Sequence, residues 1–179
     1  MDVVIIEYGL GNTKSILNAC KKITDNVVVT RDKDKIENAT HLVCPGVGSF
    51  DYGMRLLKET KLADLIITHF NKNKPILGIC LGLQIFFERS EEGKLPGLGL
   101  LNGEVIKIKK EFKCKERIPV IGWREVKLND FNKNSTLSQT FYFDHSYMVS
   151  PENENIIEGY YFIDDLKINS FIKSKRSLL

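Results

Sequence analysis

Ile76-Leu77-Gly78-Ile79-Cys80-Leu81-Gly82-Leu83-Gln84 is an apolar run that passes directly into a helical pattern, with a cysteine at the junction and a glycine two residues to either side. Residues 75–79 read as a strand, and residues 83–89, with Ile85, Phe86 and Phe87, read as a helix. The G-x-C-x-G spacing on such a turn is that of a nucleophile elbow, with sulfur in place of oxygen. A tight strand-to-helix turn pushes the junction residue into an unusual backbone conformation, and side chains at the flanking positions would clash. The helix N-terminus beyond the turn favours negative charge, which is expected to lower the pKa of the Cys80 thiol. The amide of Leu81 is expected to face the same spot and to stabilise an oxyanion. A buried cysteine in a glycine-rich turn accounts for the same five residues, but the strand before and the helix after favour the nucleophile.

Upstream of the elbow, strands and helices alternate. Val3-Val4-Ile5-Ile6 is a short continuous apolar run, as in a strand buried on both faces. Asn12 is placed to cap a helix whose Ile16, Leu17, Cys20 and Ile23 fall on one stripe. Residues 27–29 read as a strand, 33–38 as a short polar helix and 41–44 as a strand. Helical segments then run over 51–71, with Leu62, Leu65, Ile66 and Phe70 as the buried face. Downstream of Gly93 the pattern changes. Residues 104–109, 125–128, 140–143, 146–149, 156–162 and 166–172 read as strands, with turn clusters at 129–135 and 151–155. The fold class expected is α/β: a mixed, mostly parallel central sheet flanked by helices, followed by a β-rich second half, in a single domain over residues 1–179.

Composition agrees with that class. The chain has 179 residues, 42% hydrophobic and 27% charged, and should bury roughly 70% of the surface its unfolded form exposes. Its 26 basic and 23 acidic residues leave a net charge of +3, too small an excess to argue for nucleic acid. No apolar run approaches the ~20 residues of a membrane span, and an acid at Asp2 stands where a signal peptide carries positive charge. A cytoplasmic location is expected, with Cys20, Cys44, Cys80 and Cys114 as reduced thiols. They form no CxxC pair, and no metal or cofactor is implied. Cys20 and Cys44 read as small core hydrophobes, and Cys114, among Lys113, Lys115 and Glu116, as exposed.

Two further glycine clusters precede the elbow in sequence. Pro45-Gly46-Val47-Gly48 follows a strand but lacks the Lys-Ser/Thr of a phosphate loop. It reads either as an ordinary tight loop or as a source of backbone amides for an oxyanion hole. Gly9-Leu10-Gly11-Asn12 opens a helix, but Lys14 stands where a dinucleotide fingerprint requires its third glycine, so no nucleotide site is expected there.

Taken in order, Glu7-Tyr8-Gly9-Leu10-Gly11-Asn12, Pro45-Gly46-Val47-Gly48-Ser49-Phe50, the elbow with Gln84, Phe87-Glu88-Arg89-Ser90-Glu91-Glu92-Gly93, Gly97-Leu98-Gly99-Leu100, Gly122-Trp123 and His145-Ser146-Tyr147 resemble the class I (triad) glutamine amidotransferases. Within that family the branch serving histidine biosynthesis is the most similar. The resemblance implies that Cys80 attacks the side-chain amide of glutamine, forms a glutamyl thioester and releases ammonia. It implies an oxyanion hole from Val47, Gly48 and Leu81, and substrate glutamine held by Gln84 with His145, Ser146 and Tyr147. It also implies a (β/α)₈-barrel cyclase as partner, which receives the ammonia and builds an imidazole ring, with Asn12 and Trp123 at the interface.

Two departures accompany the resemblance. The family's triad takes its histidine and glutamate from a late His-Pro-Glu run, whereas the histidines here are His41, His69 and His145. His41 and His69 precede the nucleophile and read as structural. In a strand, Asp144 and His145 point to opposite faces, so the pair is not expected to replace the missing base. The family pattern implies a further segment on the order of 20 residues, so truncation at the C-terminus, or a partner-binding subunit without catalysis, is expected. In addition, Val120-Ile121-Gly122-Trp123-Arg124 departs from the histidine branch, which leaves amidation of nucleotide sugars or surface polysaccharides as an alternative assignment.

Overall fold

The computed structural model describes residues 1–108, 117–129, 136–174 and 177–178. Cys114 and the turn residues 130–135 lie outside them. The first half contains β1 (Val3–Ile6), α1 (Thr13–Cys20), β2 (Val27–Thr30), α2 (Lys33–Asn38), β3 (His41–Cys44), α3 (Phe50–Glu59), α4 (Ala63–Asn71), β4 (Ile76–Gly78) and α5 (Leu81–Gln84). The second half contains β5 (Arg89–Ser90), β6 (Gly103–Lys107), β7 (Val120–Asn129), β8 (Thr136–His145), β9 (Tyr147–Pro151), β10 (Ile157–Ile163), β11 (Leu166–Ser174) and β12 (Ser177–Leu178).

The first four strands form a parallel sheet in the order β2-β1-β3-β4, with Val4 beside Val28 and Leu42, and Leu42 beside Ile76. Both of its faces are covered. Val3, Ile5 and Val43 pack under α1, while Val4, Ile6, Leu42 and Cys44 face the large core beneath α3 and α4. Ile66 and Phe70 from α4 and Leu57 from α3 fill that core. In the second half β5, β6 and β9 form one small sheet, and β12-β11-β10-β7-β8 form an antiparallel one. The two halves share a core, because Val105, Val149, Ile157 and Ile172 belong to the same apolar cluster as Ile6 and Phe50. The α/β architecture with a β-rich second half is the one expected.

Three local expectations are corrected. The helix over 83–89 is confined to Leu81–Gln84, because the carbonyls that would continue it are taken from outside. Ile85 O accepts from Leu98 N, Phe86 O from Leu100 N, Phe87 O from Gly99 N and Glu88 O from Gly97 N. The chain therefore leaves the helix as a turn lined by the fully buried Ile85, Phe86 and Phe87, and Arg89–Ser90 pairs with β6. Secondly, α1 ends at Cys20, so Ile23 falls off the apolar stripe and is 79% exposed. Cys20 is only partly buried, unlike Cys44. Thirdly, β7 and β8 are longer than expected; they pair from Val120↔His145 to Asn129↔Thr136, which brings His145 back towards the elbow half.

Candidate active site

The elbow is built by backbone conformation and close approach. Cys80 has φ 54° and ψ −117°, in a region that L-residues rarely occupy. It stands between β4 and α5, whose first bonds run from Leu83 N and Gln84 N to Cys80 O. A Cβ at Gly82 would lie 1.8 Å from the Cys44 carbonyl oxygen, and one at Gly78 would lie 2.7 Å from Leu83 Cα. Glycine at these two positions lets α5 turn back against β3 and β4.

Pro45-Gly46 completes the support. A Cβ at Gly46 would meet Gly82 N at 2.7 Å, so this loop and the elbow touch through their backbones. Tyr8, buried at the end of β1, donates its hydroxyl to Pro45 O and fixes the loop. Burial raises the Tyr8 pKa, with the Cys44 and Cys80 thiols adding to it, so the hydroxyl stays a donor. Val47 is 62% exposed and Gly48 has φ +125°. They continue the loop, but neither lines the cleft above Cys80.

That cleft has a volume of about 280 Å³, and Cys80, Gln84, Asp144, His145 and Tyr147 contribute to its walls. Cys80 is open to it. The thiol pKa is nevertheless raised, opposite to the expected direction. Desolvation by the surrounding walls is the largest cause; the Leu81 amide opposes it, and the Asp144 and Glu92 carboxylates reinforce it. A four-residue helix is too short to contribute much of a macrodipole. The neighbouring Leu81 amide acts on the thiol as a hydrogen-bond donor and by itself lowers its pKa.

Gln84 donates from Nε2 to the Tyr147 carbonyl at 3.5 Å, joining the elbow helix to the β8–β9 junction. His145 Nδ1 lies 2.8 Å from the same carbonyl, and its Nε2 lies 2.6 Å from the Tyr161 hydroxyl. A carbonyl can only accept, so Nδ1 carries the proton and Nε2 accepts from Tyr161. Desolvation lowers the His145 pKa, against the Tyr147 carbonyl and Asp144, which act in the other direction. A neutral imidazole with both nitrogens engaged is not set to take the Cys80 proton. The other two histidines do not line the cleft: His69 Nε2 lies 3.0 Å from Pro75 O, and His41 Nδ1 lies 2.9 Å from the Thr40 hydroxyl.

His69 is also buried, and desolvation lowers its pKa as well. Both imidazoles therefore contribute stability that is present above the ordinary histidine value and is lost as pH falls through their lower folded values. The urea midpoint is expected to drop between about pH 7 and about pH 5, and replacing either histidine with a neutral residue should flatten that drop.

The structure thus brings Cys80, Leu81, Gln84, His145 and Tyr147 together, with Ser146 between the last two. Ser146 is anchored by its carbonyl, which accepts from Ile108 N. Asn12 caps α1 through Ser15 N, and Trp123 is 67% exposed with its ring edge against Tyr142. Sequence reasoning missed Tyr8 and Tyr161. Tyr8 lies within a quoted motif, whereas Tyr161 sits in an ordinary apolar strand with no local signal.

Residues 4–175 match the family described as glutamine amidotransferase class I. A Methanococcus maripaludis protein named imidazole glycerol phosphate synthase subunit HisH 2 is 44% identical over 159 residues, covering 87% of this chain and 78% of that protein. An Aquifex aeolicus protein named imidazole glycerol phosphate synthase subunit HisH is 39% identical, covering 96% of this chain and 86% of that one. A solved glutamine amidotransferase superposes with a TM-score of 0.75 at 15% identity over 98% of this chain and 86% of its own, a likeness of fold. With the family match spanning nearly its whole length and relatives this similar, the chain belongs to the class I glutamine amidotransferases.

Proposed function

We propose that this chain is a glutaminase subunit that supplies ammonia to a (β/α)₈-barrel synthase in imidazole glycerol phosphate formation. The observation that carries the reading is Cys80 at φ 54° between strand and helix, with the Leu81 amide at its sulfur and an open cleft above. Cys80 sulfur attacks the amide carbon of glutamine; a C–S bond forms, the C–N bond breaks, and the thiol proton leaves on ammonia. Water then cleaves the thioester and returns the thiol. Leu81 donates to the oxyanion, a role the family resemblance also gives to Val47 and Gly48; Gln84, His145, Ser146 and Tyr147 hold the substrate. The names of the relatives support the histidine pathway over the sugar-amidation alternative. Exposed Trp123, with Ile121 and Tyr142 nearby on the β7–β8 hairpin, suits a partner surface, and Asn12 is assigned to the same interface.

A second reading is favoured by the His145 geometry: a subunit that binds glutamine and the barrel partner without turnover, since His145 has both ring nitrogens engaged and neither His41 nor His69 lines the cleft. The test is ammonia release from glutamine in the presence of the barrel partner. Cys80-dependent ammonia, abolished by Cys80→Ala, is expected. Glutamine binding with no Cys80-dependent ammonia would decide for the second reading.

A further inference from the structure

Among the described residues that line the cleft, Asp144 is the one that carries a charge; no lysine or arginine stands there. Its side chain is exposed and, among the described residues, has neither a hydrogen bond nor an ion pair. The carboxylates of the neighbouring Glu88–Glu92 run are placed differently. Glu88 accepts from Gly103 N at 2.9 Å, Glu91 from Lys107 N at 2.6 Å and Glu92 from Phe50 N at 2.8 Å, and none of the three lines the cleft. Asp144 lies on β8, the edge strand of its sheet, on the same face of the strand as Tyr142, which also lines the cleft. Its charge is felt at the Cys80 thiol.

Much of the remaining wall is apolar, with Val126, Leu128, Phe141 and Phe143 among the lining residues. A ligand that enters strips water from the Asp144 carboxylate, and an unpaired charge desolvated beside apolar walls is strongly unfavourable. No side chain of the cleft supplies a counter-charge, so the ligand must bring it. An ammonium group does so by a charge-assisted hydrogen bond, and the neighbouring Tyr142 ring also attracts cations. A neutral or anionic ligand leaves the carboxylate unpaired. We propose that Asp144 is a specificity-determining residue: its carboxylate selects a ligand with a free ammonium group, so that the amide taken up beside Cys80 is that of a free amino acid and not of its deaminated or N-blocked form. The identity of that amino acid rests on the assignment of the cleft to glutamine; the selection of positive charge does not.

Two measurements separate these statements. In the first, Cys80 is modified at low ionic strength by a cationic and an anionic methanethiosulfonate, the ethyltrimethylammonium and ethylsulfonate reagents. The thiolate attacks the reagent's divalent sulfur, a disulfide forms and methanesulfinate leaves. Both reagents consume the same thiolate, so the ratio of their rates is independent of the thiol pKa. Normalised to the ratio for a free thiol in solution, it should favour the cation, fall about three- to tenfold in Asp144→Asn and be retained in Asp144→Glu. Glu92→Gln, which keeps an acceptor for Phe50 N, should lower it less. Circular dichroism and the urea midpoint check that the variants fold. In the second, glutamine and glutaramate, the same molecule without its amino group, are titrated by calorimetry into the Cys80→Ala chain, where no turnover occurs. Glutamine should bind about tenfold more tightly, and Asp144→Asn should bring it to the level of glutaramate. A reagent ratio unchanged by Asp144→Asn, a larger fall from Glu92→Gln, or a preference for glutamine that survives Asp144→Asn would overturn the proposal. A ratio that depends on Asp144 in a chain that binds neither ligand would overturn the glutamine assignment and leave the selection of cations standing.

Discussion

Gly82→Ala is expected to cost at least about 3 kcal/mol of unfolding free energy, or to prevent folding, although alanine is the better helix former by about 1 kcal/mol. The added methyl would sit 1.8 Å from the Cys44 carbonyl oxygen, 2.7 Å from the Cys44 carbonyl carbon and 3.2 Å from the Pro45 carbonyl carbon. All three are backbone atoms at the end of a central strand, so no rotamer change relieves the clash. Relief requires α5 to move off β3, which would carry Cys80 and Gln84 away from the cleft and part Gly82 from Gly46. Gly99→Ala is the control. Its φ is +61° and nothing lies within 4 Å, so only the left-handed strain of about 1 kcal/mol applies. Urea denaturation of the two variants should separate them by at least about 2 kcal/mol. A Gly82→Ala variant as stable as Gly99→Ala would mean that the elbow is not closed against β3 as described.

Alkylation of Cys80 by iodoacetamide should be slow at about pH 7 and rise about tenfold per pH unit up to and beyond about pH 9, an effect near a hundredfold. Only the thiolate reacts, and desolvation with the Asp144 and Glu92 carboxylates places the thiol above its ordinary range. Below that pKa, each unit of pH multiplies the thiolate tenfold. Had His145 been a base for Cys80, a thiolate–imidazolium pair would give fast alkylation and a plateau near neutral pH. Its Nε2 is instead occupied by Tyr161. Rates are followed by mass spectrometry of the Cys80 peptide, with Cys80→Ala removing the signal; a plateau below about pH 7 would sink the prediction. Cys44 and Cys80 are both raised by burial, so their stabilising contribution is full below the ordinary thiol range and is lost as pH climbs through their folded values.

How far the sequence could be read depended on the distance over which each feature is decided. The bounds of α2 and β3 follow from local chemistry: Asp32 accepts from Lys35 N to start the helix, and His41–Cys44 is a short apolar run. The elbow was legible for the same reason, since two glycines around a cysteine act on their immediate neighbours. The length of α5 was not. Ile85, Phe86 and Phe87 have the pattern of a helix, but their carbonyls accept from residues 98–101, and nothing local announces that competition. The pairing of β7 with β8 down to Val120↔His145 was likewise a tertiary outcome.

Cys80 shows the division most clearly. By itself the sequence determined that a thiol stands at a strand-to-helix turn with glycines where side chains would clash, because steric exclusion at such a turn is a short-range constraint. It also determined that only three histidines are present and that Asp144 and His145 alternate on a strand. Only the tertiary structure decided the state of the thiol, raised rather than lowered, because desolvation and the fields of Asp144 and Glu92 come from other elements. Only it decided that His145 is held by Tyr161 and Tyr147, because hydrogen-bond partners at a strand junction are fixed by how sheets stack, which residue order does not reveal.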